Sequence, residues 1–171
     1  HYDKYVEAII DQNCLLKRSS SSRKITASFL TELYSLDPTL SIFRTLLFFW
    51  NRDEEARPLL AMLCAVCRDR VLNHSFKEIR SVELNTEVQK KAIEELIDDM
   101  EPNRFSESTL QSMARNILSS WTKSGHLKGR RETVRAQAKA TPATVAYAIY
   151  LGYLAGERGP ALFETKYMEI N

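Results

Sequence analysis

Residues 106–126 read SESTLQSMARNILSSWTKSGH, and they hold the strongest helical pattern in the chain. Leu110, Met113, Ala114, Ile117, Leu118 and Trp121 recur at i, i+3, i+4, i+7, i+8 and i+11, one apolar stripe of an amphipathic helix. Ser108 followed by Gln111 matches a capping box at its start, and Gly125 is placed to end it in a left-handed conformation. Gln111, Ser112, Arg115, Asn116 and Lys123 then face away from the stripe. Directly beyond, HLKGRRETVRAQ (126–137) alternates, carries the β-branched pair Thr133 and Val134, and has Gly129 as a turn residue. That pattern predicts one short β-hairpin.

Working outward, the rest of the chain also reads as helix. Only five glycines and five prolines occur in 171 residues, too few for a sandwich or barrel with its many turns. A hydrophobic fraction of 44% and a charged fraction of 27% are those of an ordinary folded protein rather than a disordered one. Residues 4–16 predict a short helix with Tyr5, Val6, Ile9, Ile10 and Leu15 apolar. A second helix is expected over Ile25–Leu36, with Ile25, Phe29, Leu30, Leu33 and Leu36 on its buried stripe. Asp37-Pro38 reads as the start of a third helix ending at Trp50. Its Leu46–Trp50 end is apolar almost all round, so it is either central to the core or part of an interface.

A fourth helix is expected over Leu59–Leu72, and the region 75–101 predicts a further helix opened by a Thr86/Gln89 capping box. Thr141-Pro142 opens the penultimate helix, Gly156 closes it, and Pro160 starts a last short one ending near Ile170. The expected fold is therefore mainly α: a helical bundle with a winged-helix-like C-terminal lobe and at most one short β-hairpin. The division falls between residues 1–101, a helical lobe, and 102–171.

The longest apolar run, Val145–Gly156, has 12 residues, whereas a spanning helix needs about 20. Three cysteines and no secretory signal predict a reducing, cytoplasmic setting and no membrane partner. The first residue is His1 rather than methionine, so native N-terminal sequence is expected to be missing or processed.

Signs of a reaction are few. The histidines His1, His74 and His126 lie in no recognisable general-base context, and no nucleophile elbow, phosphate-binding glycine loop or dinucleotide fingerprint occurs. Cys64-x-x-Cys67, with His74 seven residues later, has metal-like spacing. Its neighbours are Leu, Met, Ala and Val, so two small buried thiols are the better reading. Glu94, Glu95, Asp98 and Asp99 read as a solvated helix face pairing with Lys90 and Lys91. The sequence therefore predicts no enzyme, no metal and no cofactor.

Charge is distributed unevenly. The formal net charge is +2, yet Lys123, Lys128, Arg130, Arg131, Arg135 and Lys139 follow the central helix with Glu132 as the single acid among them. Between Arg52 and Glu101, by contrast, there are eight cations and twelve acids. A second basic stretch, KRSSSSRK, places Lys17, Arg18, Arg23 and Lys24 around four serines. It reads either as a phosphate-gripping loop or as a linker whose Ser22 caps the next helix.

A capped helix followed by a basic hairpin is the layout of a module that reads DNA with the helix and holds the backbone with the wing. The expected contacts to double-stranded DNA are Lys17, Arg18, Arg23, Lys24, Gln111, Ser112, Arg115, Lys123, Lys128, Arg130, Arg131, Arg135 and Lys139. The alternative is a protein-docking surface in which the arginines pair with acidic residues of a partner.

The stretches FSESTLQSMARNILSSWTKSGHLKGRRETVRA, TPATVAYAIYLGYLAGERGPALFETKYMEI and CLLKRSSSSRKITASFLTELYSLD together resemble the BrxA-like proteins of bacterial BREX phage-exclusion systems. The resemblance rests on apolar, Gly, Trp and Arg positions without catalytic residues. It implies a small, helical, cytosolic DNA-binding accessory protein acting beside a methyltransferase, an ATPase and other defence components. Some members of that family carry an inner-membrane label, which this sequence does not fit.

Overall fold

Four residues of helix α4 (Arg57–Arg68), Leu60, Leu63, Cys64 and Val66, are at most 1% exposed, and the rest of the fold is arranged around that helix. The computed structural model describes residues 2–129 and 132–171. Among these the chain is mainly helical, with nine α-helices, a short 3-10 helix and one two-stranded antiparallel hairpin. In chain order α1 (Tyr2–Ile10), α2 (Ser20–Tyr34) and α3 (Ser41–Trp50) precede α4. Next come α5 (Arg70–Ser81), α6 (Lys90–Met100), α7 (Glu107–Lys123), β1 (Leu127–Lys128), β2 (Val134–Arg135), α8 (Pro142–Leu154), the 3-10 helix Gly159–Phe163 and α9 (Lys166–Ile170).

Helices α2, α3, α5, α7 and α8 all pack on α4, because a helix apolar around its circumference needs neighbours on every side. The apolar end of the third helix, expected to be either central to the core or part of an interface, is only partly buried. In α3, Phe43 and Leu46 are buried, Trp50 is half-buried and Phe48 is exposed. Helices α6 and α7 pack on each other more extensively than any other pair, so the expected division at residue 102 runs between two tightly packed partners.

Several boundaries differ from the expected ones, each for a local reason. Helix α1 stops at Ile10 rather than near Leu16, and the chain then takes left-handed conformations at Asn13 and Leu16. Helix α2 begins at Ser20, five residues early, because Ser19 rather than Ser22 is the N-cap. The Ser19 side-chain oxygen accepts the Ser22 N–H at 3.1 Å. Asp37 starts no helix. Its carboxylate accepts both the N–H and the hydroxyl of Thr39, at 2.9 and 2.8 Å, and forms a turn.

The helix expected over Leu59–Leu72 is two helices. Asp69 leaves the helical region (φ −106°, ψ 112°) and caps α5 through the Leu72 N–H at 2.8 Å. Thr86 and Gln89 form no capping box, since Gln89 occupies the cap position of α6 without a side-chain bond. The extended chain there instead brings Glu87 opposite Val134 in an isolated antiparallel bridge beside the hairpin.

The N-cap of α7 lies two residues before the expected one: Ser106 accepts the Thr109 N–H at 3.3 Å. Its C-terminus agrees with expectation. Gly125 has φ +89°, its N–H donates to the Thr122 carbonyl, and the His126 N–H donates to the Trp121 carbonyl. These two bonds make a Schellman turn. Thr141 and Thr144 form a reciprocal capping box on α8. The pairs Lys90–Glu94 and Lys91–Glu95, at 3.1 and 3.6 Å, are those expected on the acidic helix.

The end of α7 is fixed from three sides. Trp121, fully buried, donates its Nε1–H to the Ser75 hydroxyl of α5 at 2.8 Å, and Ser75 donates to the Leu72 carbonyl at 2.7 Å. The indole stacks on Phe76 at a centroid distance of 5.6 Å and meets His126 edge-on at 4.9 Å. Ser75→Ala strands the indole N–H in a dry site. It is expected to lower the unfolding free energy by about 1–3 kcal/mol with an unchanged m-value in urea. A loss no larger than that of the exposed Arg80→Ala, which breaks only a surface pair with Glu169, would show that the bond is not a fixed point of the fold.

Candidate nucleic-acid interface

The outward face of α7 and the hairpin after it form the part of the expected site that the structure brings together. Gln111 donates its side-chain amide to Glu107 at 3.2 Å. Ser112 donates its hydroxyl to the Ser108 carbonyl at 2.9 Å. Arg115 is exposed and folded along the helix, donating to the Gln111 carbonyl and the Ser112 hydroxyl at 3.3 and 3.0 Å. Lys123 is exposed in the last turn, where a cation also suits the helix dipole. Glu107 keeps the first turn negative. A phosphate therefore finds favourable potential toward Arg115 and Lys123, not at the N-terminus.

The hairpin pairs Leu127 with Arg135 and Lys128 with Val134. Strand alternation sends Leu127 into the core and Lys128 into solvent, where it donates to the Asn85 side chain at 2.8 Å. Gly129, at φ +101°, has no room for a side chain: a Cβ there would run into the Glu132 carbonyl oxygen. Arg130 and Arg131 lie outside the described residues.

Arg135 departs most from the expected set. It is 9% exposed, and its guanidinium donates to the carbonyl of His126 at 3.0 Å and to that of Ala136. Burial lowers its proton affinity. Arg135 is thus a buried tie within the hairpin rather than a wing cation aimed at a backbone phosphate. Lys139 is exposed but paired with Glu55. The second basic stretch is not assembled with α7. Lys17, Arg18 and Lys24 are exposed at the N-terminal end of α2, and Arg23 is half-buried there. It is the opposite end of α2, at Leu33 and Tyr34, that comes near α7.

That approach creates a feature the sequence did not signal. A cleft of about 680 Å³ opens between α2, α4 and α7, walled by Leu33, Trp50, Met62 and Ile117, with Asn116 and Lys123 at its edge. Its lining comes from five helices, so no local pattern announced it. It also accounts for Trp50, which is half-buried because it forms one wall.

The thiols of the Cys64-x-x-Cys67 pair are unactivated. Burial raises the pKa of Cys64, and that of Cys67 to about 11, so neither forms a thiolate near neutral pH. Among the described residues no three His, Cys, Asp or Glu side chains come together as metal ligands, and no helix is long and apolar enough to cross a membrane. Comparison with protein-family models, with curated proteins and with solved structures finds no match to this chain.

His126 links the hairpin to the C-terminus. Its Nε2–H donates to the Ile170 carbonyl at 2.7 Å, which leaves Nδ1 to accept from the Ser124 hydroxyl at 2.8 Å. Burial, with a smaller contribution from the Arg135 charge, holds its pKa down to about 4 against the opposing bond to Ile170. Between pH 6.5 and 4 the unfolded chain therefore binds a proton that the folded chain refuses. The stabilisation is complete above pH 6.5 and is lost as pH falls toward 4. Between those limits the native protein is expected to lose about 3 kcal/mol from this group, and His126→Gln should lose correspondingly less. Parallel pH profiles for the two, read by urea unfolding, would contradict the assignment.

Proposed function

We propose that this protein binds double-stranded DNA without catalysing a reaction, laying the outward face of α7 on the duplex and the hairpin along its backbone. The observation that carries the reading is that α7 runs through a locked turn straight into a hairpin with an outward lysine. The order α5, bridge residue Glu87, α6, α7, β1, β2 is also the order of elements in a winged-helix module. Gln111, Ser112 and Arg115 have the donors and acceptors to meet base edges, and Arg115, Lys123, Lys128, Arg130 and Arg131 the charge to meet phosphates. Arg135 drops out of the contact set, and Lys139 contributes only if its pair with Glu55 opens. The acid excess of α6, with Glu94, Glu95, Asp98 and Asp99 against Lys90 and Lys91, points any polyanion toward α7 and the hairpin. The further proposal, that the protein serves as an accessory of a BREX-type phage-defence system beside a methyltransferase or ATPase, rests on the sequence resemblance alone.

The test is the salt dependence of binding to a labelled duplex of about 30 base pairs. Changing Arg115, Lys123 and Lys128 together to alanine should flatten the slope of log K against log salt by about 0.9 per lost phosphate contact. Arg135→Ala should lower thermal stability and, measured well below its melting temperature, leave the slope unchanged. A triple variant that binds as the native protein does, or no native binding at about 50 mM salt, would sink the reading.

A further inference from the structure

Two side chains expected in the core are on the surface. Ile25 and Phe29 of α2 are 53% and 59% exposed, because α2 turns Ala27, Leu30 and Tyr34 to the protein instead. Beside them Leu16 is 87% exposed. It is held there by an ordered turn. Asn13 accepts the Lys17 N–H at 2.8 Å, donates its side-chain amide to the Lys17 carbonyl at 3.1 Å, and takes the Leu16 N–H on its own carbonyl at 2.9 Å. Leu16 has φ +52°, a left-handed conformation that asparagine tolerates and leucine resists. The chain thus accepts backbone strain to present a leucine to water.

Leu16, Lys17 and Arg18 form one side of a groove of about 450 Å³, and Ser22, Ile25, Thr26 and Phe29 form the other. The α2 side runs at i, i+3, i+4 and i+7, a row about 10 Å long that matches two turns of a docked helix. From Gln12 to Thr31 the chain holds four cations and no acid. A DNA backbone would gain nothing from Leu16, Ile25 and Phe29. An anionic bilayer presents a flat surface, whereas this groove is concave, and the hollow adjoining it at Phe29 sets Glu32 and Asp69 among Arg68 and Arg70.

We infer that this groove is a docking site for an acidic amphipathic helix of a partner protein, its apolar side chains seated against Leu16, Ile25 and Phe29 and its carboxylates against Lys17 and Arg18. The mode is helix-in-groove recognition. It goes beyond the DNA reading and is separate from it in place, since the groove lies at the end of α2 away from α7.

The probe is a labelled 18-residue helical peptide with Leu and Phe at i, i+3, i+4 and i+7, flanked by Glu and Asp. Expected are micromolar binding by anisotropy and at least tenfold weaker binding to Phe29→Asp, a surface change that leaves the helical circular dichroism intact. Leu16→Gly should relieve the left-handed strain and raise the melting temperature while still weakening the peptide. A purely structural Leu16 would not produce that combination. Duplex binding should be equal in native protein and Phe29→Asp, so failure here leaves the DNA reading standing. The inference is overturned if the acidic peptide binds no better than its lysine-substituted version. It is also overturned if phosphatidylglycerol vesicles bind where the peptide does not, or if the native chain dimerises through this face and Phe29→Asp abolishes the dimer.

Discussion

The hydrogen bond from Trp121 to Ser75 is the contact on which the C-terminal half depends. Both residues are fully buried, and they tie the end of α7 to the middle of α5. The same indole lies against Phe76 and His126. His126 in turn holds the carbonyl of Ile170, so one aromatic cluster joins α5, α7, the hairpin and the last helix. A bond between two groups that have no access to water is costly to break, because neither finds a replacement partner. Such a fixed point sets the direction in which the chain leaves α7, and with it the position of the hairpin.

Placing the hairpin decides which cations are available. Strand register sends Lys128 outward and turns the Arg135 side chain onto the backbone carbonyls of its own hairpin. The guanidinium there adds a donor to the carbonyls of His126 and Ala136, at the end of the hairpin away from its turn. A basic run in a sequence is thus divided by two-residue periodicity into members that face solvent and members that serve the fold. Lys128 is thus left exposed, as Arg115 and Lys123 are on α7, the helix packed against the acidic α6.

Much of this was legible in the sequence where the signal is local. The α7 stripe, Gly125 as the left-handed turn, the hairpin and the Thr141 start of α8 all follow from patterns shorter than one helix. What escaped was set by tertiary partners. Asp69 is the local exception: it stands in the charged Arg68-Asp69-Arg70 interruption of the run, and its carboxylate caps α5. Of the α2 stripe expected over Ile25, Phe29, Leu30, Leu33 and Leu36, the last three pack on the core together with Ala27 and Tyr34, against α4 and α1, while Ile25 and Phe29 are left exposed. A period of 3.6 shows that an apolar face exists, not that it is covered. Arg135 was misassigned for a related reason: charge composition is read from sequence, but burial is not. The cleft beside Trp50 needs five helices and left no trace in any one of them.

The most direct measurement is lysine acylation footprinting with and without duplex DNA, which reads each amine separately. The account predicts that duplex shields Lys123 and Lys128 while Lys17 and Lys24 stay as reactive as in the free protein. Protection confined to Lys17 and Lys24, or an unchanged pattern at all four lysines under conditions where DNA is bound, would contradict it.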